Sequence, residues 1–195
     1  MRKITISIFM LFLSLPCFAS DISDELKQII SPQEQLLAFV AADLNDDGLM
    51  DYVFVVENKE SEVKNNEFDQ GSRTLKIAIG FPDKSLKIVK ISKNVVFCRT
   101  CGGSFDPFDP SGLTASKKTF SVSHYGGTGE RWTNTFQFNY SRKDDTWQLV
   151  YVEETYADVS DHDKIETKNY RPPKSFGKID ISEFDPYNFI GVGKK

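Results

Sequence analysis

The chain has 195 residues, with 24 lysines and arginines against 28 aspartates and glutamates, for a net charge of −4 at pH 7. This acidic balance argues against a nucleic-acid partner, which needs a basic face, and against an anionic membrane surface. The length is enough for one domain with a sizeable hydrophobic core.

The first 20 residues have the pattern of a cleavable secretory signal. Arg2 and Lys3 precede a mostly apolar run, and the small residues Ala19 and Ser20 follow it. The run has about 12 residues, fewer than the ~20 that a membrane span needs. Removing the signal leaves 22 basic and 28 acidic residues, net −6. We therefore expect a periplasmic or secreted protein with no membrane span and one β-rich domain over residues 21–195.

The first elements after the signal are expected to be a helix and a buried strand. Apolar residues recur at helical spacing over residues 21–30, which predicts an N-terminal helix. The continuous apolar run from Tyr52 to Val56 predicts a strand buried on both faces. The polar stretch 57–72 that follows predicts a mobile loop.

Strand patterns fill most of the remaining chain. Apolar and polar side chains alternate, with some slips, over residues 75–81, 86–91, 120–124, 132–140 and 147–152. The alternation slips at Val89, which predicts a β-bulge. Residues 98–118 are rich in Gly, Pro, Asp and Ser and predict a long ordered loop, and the polar residues 158–169 predict a short helix or loop. The expected fold is mainly β (α+β), an antiparallel sheet domain with an N-terminal helix and short peripheral helices.

One stretch, DLNDDGLMD at residues 43–51, has the spacing of a metal-binding loop. The candidate ligands are oxygen atoms: the side chains of Asp43, Asn45, Asp47 and Asp51 and the backbone carbonyl of Leu49. Calcium prefers six to eight such hard oxygen ligands in a flexible shell. Gly48 permits the tight turn that brings alternate residues to one centre. The stretch therefore predicts a structural calcium site.

The pattern D-x-N-x-D-G-x-x-D followed by an apolar strand resembles the calcium loops of FG-GAP/VCBS-type repeats, over residues 39–57. It is not an EF-hand, because Phe54 stands where an EF-hand has a bidentate Glu. The resemblance implies a calcium loop but not a complete propeller, since the motif occurs once and a propeller needs several blades. The alternative interpretation is a metal-free Asp/Asn/Gly turn between two strands.

The chain keeps two cysteines, Cys98 and Cys101, once Cys17 leaves with the signal. An even count in an exported protein favours a disulfide, which would shape the loop. A redox dithiol is the second interpretation, and half of a zinc site with His124 or His162 is the third. A lipid anchor at Cys17 fits the preceding residues less well than cleavage of the signal.

A binding surface is expected around residues 124–132. Its candidates are His124, Tyr125, Arg131 and Trp132, which together could stack on a sugar or contact a protein. The competing interpretation places His124 at the edge of the core, hydrogen bonded, and the aromatic rings in a packed ladder on a sheet face.

The function expected from these features is non-enzymatic binding, because no catalytic pattern in the sequence is as strong as the calcium motif. The stretch CRTCGGSFDPF, followed by HYGG and an aromatic strand, resembles uncharacterised exported proteins of Gram-negative bacteria. We expect a calcium-braced protein that engages another protein of the envelope as an inhibitor, immunity factor or accessory. The alternatives are an envelope enzyme, either a hydrolase using His124 or a thiol oxidoreductase using Cys98 and Cys101, and a glycan-binding module using Trp132 and Tyr125.

Overall fold

The computed structural model describes residues 22–59 and 72–189. The predicted signal sequence and most of the predicted mobile loop lie outside those residues. Within them, the chain is mainly β, as the sequence predicts, and all of its strand pairs are antiparallel. None of the helices in the described part of the chain is long and apolar enough to cross a membrane.

The first sheet contains four strands in chain order, preceded by a short helix. The helix α1 spans Asp24–Ile29, and the strands are β1 (Glu34–Ala42), β2 (Asp51–Asn58), β3 (Arg73–Gly80) and β4 (Leu86–Ser92). The Ser23 hydroxyl caps α1 by accepting a hydrogen bond from the Leu26 N–H. The predicted bulge is confirmed, because Ile77 pairs with Lys90 and Ala78 with Ile88, which leaves Val89 unpaired.

The second sheet contains five strands, also in chain order. They are β5 (Leu113–Ser116), β6 (Thr119–Gly127), β7 (Glu130–Ser141), β8 (Thr146–Asp158) and β9 (Asp161–Tyr170). A single turn of 3-10 helix, Pro110–Gly112, leads into β5. This turn and β5 lie inside the segment predicted as a loop, so the polar composition concealed a short strand.

The two sheets share one hydrophobic core, and the first sheet buries its other face beneath α1. Val53 and Val55 of β2 join the core between the sheets, together with Phe136 and Phe138 of β7. Phe54, the intervening residue of β2, packs instead in a smaller cluster that includes Leu26 of α1 and Val56. The alternation of a strand sends successive side chains to opposite faces. The prediction that β2 is buried on both faces is confirmed.

The prediction for residues 158–169 is wrong, because they complete a β-hairpin. Strand β9 pairs with β8 in a register that places Thr167 opposite Thr155. The segment is polar because β9 is the edge strand and the described side chains of residues 164–169 are exposed. Charged edge strands also hinder pairing with other chains. The polar composition of this segment therefore indicates an exposed strand, not a loop. Alternation could not reveal the strand, because both of its faces carry polar residues.

Candidate functional site

The acidic loop, residues 43–50, joins β1 to β2 and folds through its own side chains. Asp43 accepts hydrogen bonds from the N–H groups of Asp47 and Gly48, at 3.1 and 3.2 Å. The Asp47 carboxylate accepts one from the Leu49 N–H at 2.8 Å, and the Asn45 side-chain oxygen accepts one from the Asp47 N–H at 3.1 Å. These bonds curl the loop so that its oxygen-bearing side chains lie on one turn.

Asp51 is separated from the other candidate ligands by burial. Its side chain is fully buried, and its two oxygens accept hydrogen bonds from the N–H groups of Leu44, at 2.7 Å, and Gly80, at 2.9 Å. Burial raises the pKa of the Asp51 carboxyl, while these amide hydrogen bonds act in the opposite direction. Asp51 therefore ties the acidic loop to β3 through the backbone, a role that the spacing of the motif did not reveal.

The acidic loop also contacts the second sheet. The Trp147 indole N–H donates to the Leu44 carbonyl at 3.2 Å, and the Lys118 N–H donates to the Asp43 carbonyl at 2.9 Å. Asp46 forms ion pairs with Lys117 at 2.7 Å and Arg142 at 2.8 Å. The loop thus lies where the two sheets meet, and its position depends on both.

Among residues 22–59 and 72–189, no group of three or more His, Cys, Asp or Glu side chains is arranged to hold a metal ion. The donor set fits calcium in part. Asp43, Asn45 and Asp47 supply the hard oxygen atoms that calcium prefers. Asp51 fits less well, because both of its oxygens already accept hydrogen bonds from buried backbone amides. The calcium site stays a prediction.

Cys98 and Cys101 form the predicted pair. Their sulfur atoms are 2.01 Å apart, the length of a disulfide bond, and their Cα atoms are 5.1 Å apart. Turns rather than a helix follow Cys101, so the pair does not have the helical setting of thioredoxin-like sites. The disulfide closes the first turn of the segment 98–109, which we call the disulfide loop.

Buried charges attach the disulfide loop to the first sheet. Arg73 donates two hydrogen bonds to Asp106 of this loop, at 2.6 and 2.5 Å, and its Nε lies 3.4 Å from Glu57. Arg73 and Glu57 are directly opposite on β3 and β2, and both are nearly fully buried. Arg99 of the loop pairs with the other oxygen of Glu57. Sequence reasoning missed this cluster, because its members are far apart along the chain and have no common spacing.

His124 lies in the core, with 1% of its surface exposed. Its Nε2 accepts a hydrogen bond from the Phe97 N–H at 3.2 Å, and its ring stacks on Phe97 with centroids 4.4 Å apart. Burial, with a smaller contribution from the nearby charge of Arg73, lowers the pKa of His124 to about 3. The imidazole is therefore neutral at pH 7, and it contributes nothing to an exposed surface.

The four residues predicted to form a surface divide between the two faces of the β6–β7 hairpin. Register places Gly126 opposite Trp132 and Gly127 opposite Arg131. His124 and Trp132 lie on the inward face, and the Trp132 ring packs so close to Gly126 that a Cβ there would lie 2.3 Å from it. Tyr125 and Arg131 lie on the outward face. Strand alternation thus separates residues that are neighbours in sequence.

Tyr125 and Arg131 meet a third residue, Phe105 of the disulfide loop, on the outside of the molecule. Phe105 is 46% exposed and Tyr125 48% exposed. The Arg131 guanidinium lies 4.7 Å from the centroid of the Phe105 ring and 5.9 Å from that of Tyr125. We call this cluster the aromatic–arginine surface. Its cation–π geometry is one that proteins use both for stability and for recognition.

The backbone holds this surface in place. The Tyr125 N–H donates to the Pro107 carbonyl and the Gly127 N–H to the Gly102 carbonyl, both at 2.9 Å. These two bonds lay the disulfide loop along β6, beyond the end of its pairing with β5. Phe105, between the two bonded residues, is thereby held beside Tyr125. No sequence signal connects Phe105 to residue 125, because the contact depends on how the loop crosses the sheet.

Fold and site together define a two-sheet β domain with a disulfide-shaped loop and an exposed aromatic–arginine surface. Comparison of the chain with protein-family models, with curated proteins and with solved structures gave no match. A functional conclusion therefore rests on the geometry of the site.

Proposed function

We propose that the protein is an exported, non-enzymatic binding protein that engages another protein of the bacterial envelope through the aromatic–arginine surface. The observation that carries this proposal is the exposure of two aromatic rings around one arginine on a braced loop. Tyrosine, phenylalanine and arginine are enriched at protein–protein interfaces, where few residues supply most of the binding energy. A periplasmic or secreted location agrees with the disulfide, because such bonds persist in oxidising compartments.

The contacts of His124 favour binding over hydrolysis. In a hydrolase the imidazole would have to contact the substrate. His124 is instead buried, and its Nε2 already accepts a hydrogen bond from the Phe97 N–H. For a glycan-binding module, Trp132 would have to present a ring face, but this ring packs against Gly126 and the core. In the region where the sequence predicts a surface, the exposed aromatic rings are those of Tyr125 and of its neighbour Phe105.

The binding proposal predicts a result for affinity capture from envelope extract. Phe105→Ser should reduce capture of a specific protein by roughly tenfold, because the ring is a central apolar contact of the surface. Phe81→Ser is the matched control, since Phe81 is 40% exposed but lies beside the β3–β4 turn. Quantitative mass spectrometry of the captured proteins measures the effect. Equal loss with both variants, or retention on polysaccharide in place of protein, would count against the proposal.

The second part of the proposal is that the acidic loop binds calcium and braces the junction between the sheets. Asp43, Asn45, Asp47 and the Leu49 carbonyl are the proposed ligands, with Asp51 completing the motif that resembles FG-GAP/VCBS-type loops. The loop hydrogen bonds of Asp43 and Asp47 support this assignment, because they preform a turn rich in oxygen atoms. A cation would also relieve repulsion between the two carboxylates.

Calcium is expected to raise the melting temperature relative to a chelator, and two variants should separate the metal role from the backbone role. Asp47→Ala should abolish the calcium-dependent rise, since binding stabilises only the state that holds the ligand. Asp51→Asn should cost about 1–3 kcal/mol even in chelator, because an amide NH₂ replaces an oxygen that accepts a buried N–H. Differential scanning calorimetry measures both effects. If calcium leaves the melting temperature of the wild-type protein unchanged, the proposed calcium site is refuted.

A further inference from the structure

Arg131 differs from Arg73, Arg99 and Arg142, each of which forms an ion pair with an acidic side chain. Arg73 pairs with Glu57 and Asp106, and Arg142 pairs with Asp46. Arg131 forms one hydrogen bond, from Nη1 to the Gly127 carbonyl at 2.6 Å, and pairs with no carboxylate of the described residues. Its charge is available to a partner.

The guanidinium is held in a fixed position before any partner arrives. The bond to the Gly127 carbonyl anchors Nη1, and the rings of Phe105 and Tyr125 flank the group at 4.7 and 5.9 Å. The Nε–Nη2 edge makes no hydrogen bond with the described residues. This edge is the planar fork that binds a carboxylate with two parallel hydrogen bonds. A fixed side chain loses little further entropy on binding, which favours affinity.

We propose that the aromatic–arginine surface recognises an aspartate or glutamate side chain of the partner protein, received by Arg131, with an adjacent apolar residue packing on Phe105. This inference rests on the proposed binding function and names the chemistry of its partner. The exposed area of Phe105 and Tyr125, close to half of each side chain, supplies the apolar contact. Partial burial of the fork beneath that contact strengthens the ion pair.

The charge of the surface favours a carboxylate over a polyanion. Arg131 is the one cation of the cluster, and Arg99 of the disulfide loop is already paired with Glu57. Phosphate and sulfate groups on polyanions are held by several cations together. The chain as a whole is negative, with a net charge of −4, and would repel a polyanion. A single carboxylate presented by an otherwise apolar segment suits one arginine between two rings.

Arg171 provides the matched control within the same chain. Its guanidinium lies 4.1 Å from the centroid of the Tyr151 ring, and it also pairs with no carboxylate of residues 22–59 and 72–189. Tyr151 is only partly exposed, and no second exposed aromatic ring flanks Arg171 in that part of the chain. Arg171 therefore stacks on an aromatic ring as Arg131 does, but it lacks the exposed apolar surroundings that would receive a peptide.

The test uses random peptides displayed on phage and selected on the full chain. We expect selected peptides to share an aspartate or glutamate next to an apolar residue. Fluorescence anisotropy with a labelled synthetic peptide should then show binding roughly 10- to 100-fold weaker for Arg131→Gln, the loss expected for a charge-assisted pair. Phe105→Ala should also weaken binding, and Arg171→Gln should leave it unchanged. Circular dichroism confirms that each variant is folded.

A second peptide, with its acidic residue changed to the amide, identifies the group that Arg131 receives. Wild-type protein should lose affinity for the amide peptide, whereas Arg131→Gln should bind both peptides equally, because contacting groups are not additive. Equal losses in the two proteins would overturn the inference while leaving the binding function in place, provided that Phe105→Ala still weakens binding. Stronger binding of a sulfated oligosaccharide at Arg131 would overturn it too. Failure to select any peptide, together with no captured envelope protein, would overturn both.

Discussion

Replacing Arg73 by methionine is expected to lower the free energy of unfolding by roughly 3–5 kcal/mol, the cost of breaking a buried ion pair by removing one partner. Arg73 is 3% exposed, and its removal leaves Glu57, which is 4% exposed, with the more exposed Arg99 as its remaining cationic partner. Asp106 loses two hydrogen bonds at the same time. Urea denaturation monitored by tryptophan fluorescence measures the change.

Two further variants show whether the effect comes from the buried charge of Glu57, which Arg99 alone would then compensate. Adding Glu57→Gln to Arg73→Met should recover part of the lost stability, because the buried carboxylate is then neutral. Lys178→Met removes an exposed ion pair with Asp144, at 2.8 Å, and should cost at most about 1 kcal/mol. If Arg73→Met cost no more than Lys178→Met, the buried cluster would not contribute to stability as described.

Replacing Arg73 should also loosen the aromatic–arginine surface. Asp106 follows Phe105 directly, and Arg73 is the residue that ties Asp106 to the first sheet. Hydrogen exchange at the disulfide loop should therefore quicken in Arg73→Met, since local opening needs less free energy when a loop loses its anchors. The buried cluster thus links the stability of the fold to the position of Phe105.

The second large effect is a loss of stability in acid that depends on His124. The folded pKa of His124 is about 3, and the value in an unfolded chain is about 6.5. Between these values the unfolded state takes up a proton that the folded state does not. Stability attributed to this group is therefore complete above pH 6.5 and falls as pH decreases toward 3. The slope approaches about 1.4 kcal/mol per pH unit within that window.

The physical cause is the environment of the imidazole. Protonation would place a charge in the core beside Arg73, with Asp106 as the compensating group, and would end the hydrogen bond that Nε2 accepts from the Phe97 N–H. His124→Gln keeps a possible acceptor for that N–H but cannot titrate, so its stability should fall less steeply with acid. Chemical denaturation at pH 7, 6, 5 and 4.5 measures both slopes.

The wild-type protein is the reference for this pH dependence. Between pH 6.5 and 5, His124→Gln should lose less stability than the wild type by on the order of 2 kcal/mol. Comparing the two proteins at each pH cancels the contributions of the titratable groups that they share. Parallel slopes for wild type and His124→Gln would show that the imidazole is not the group responsible.

Local patterns predicted those features that depend on alternation and spacing. The apolar run at Tyr52–Val56 predicted a strand buried on both faces, and the slip at Val89 predicted the bulge, because strand period is visible in a few residues. The pairing of Cys98 with Cys101 was predicted from the even number of cysteines in an exported chain, and the structure confirms it. Each of these features involves residues that are close in sequence, so a local pattern is enough to predict it.

Tertiary structure decided which predicted residues act together. Strand alternation separates His124 from Tyr125, but only the packing of the second sheet against the shared core shows that the His124 face is covered and the Tyr125 face is open. Phe105 reaches Arg131, and Arg73 reaches Asp106, through a loop whose course is set by contacts with β6. By itself the sequence determined the strand alternation, the acidic turn and the disulfide; the covered face and the long-range partners were decided by packing, because local spacing carries no information about either.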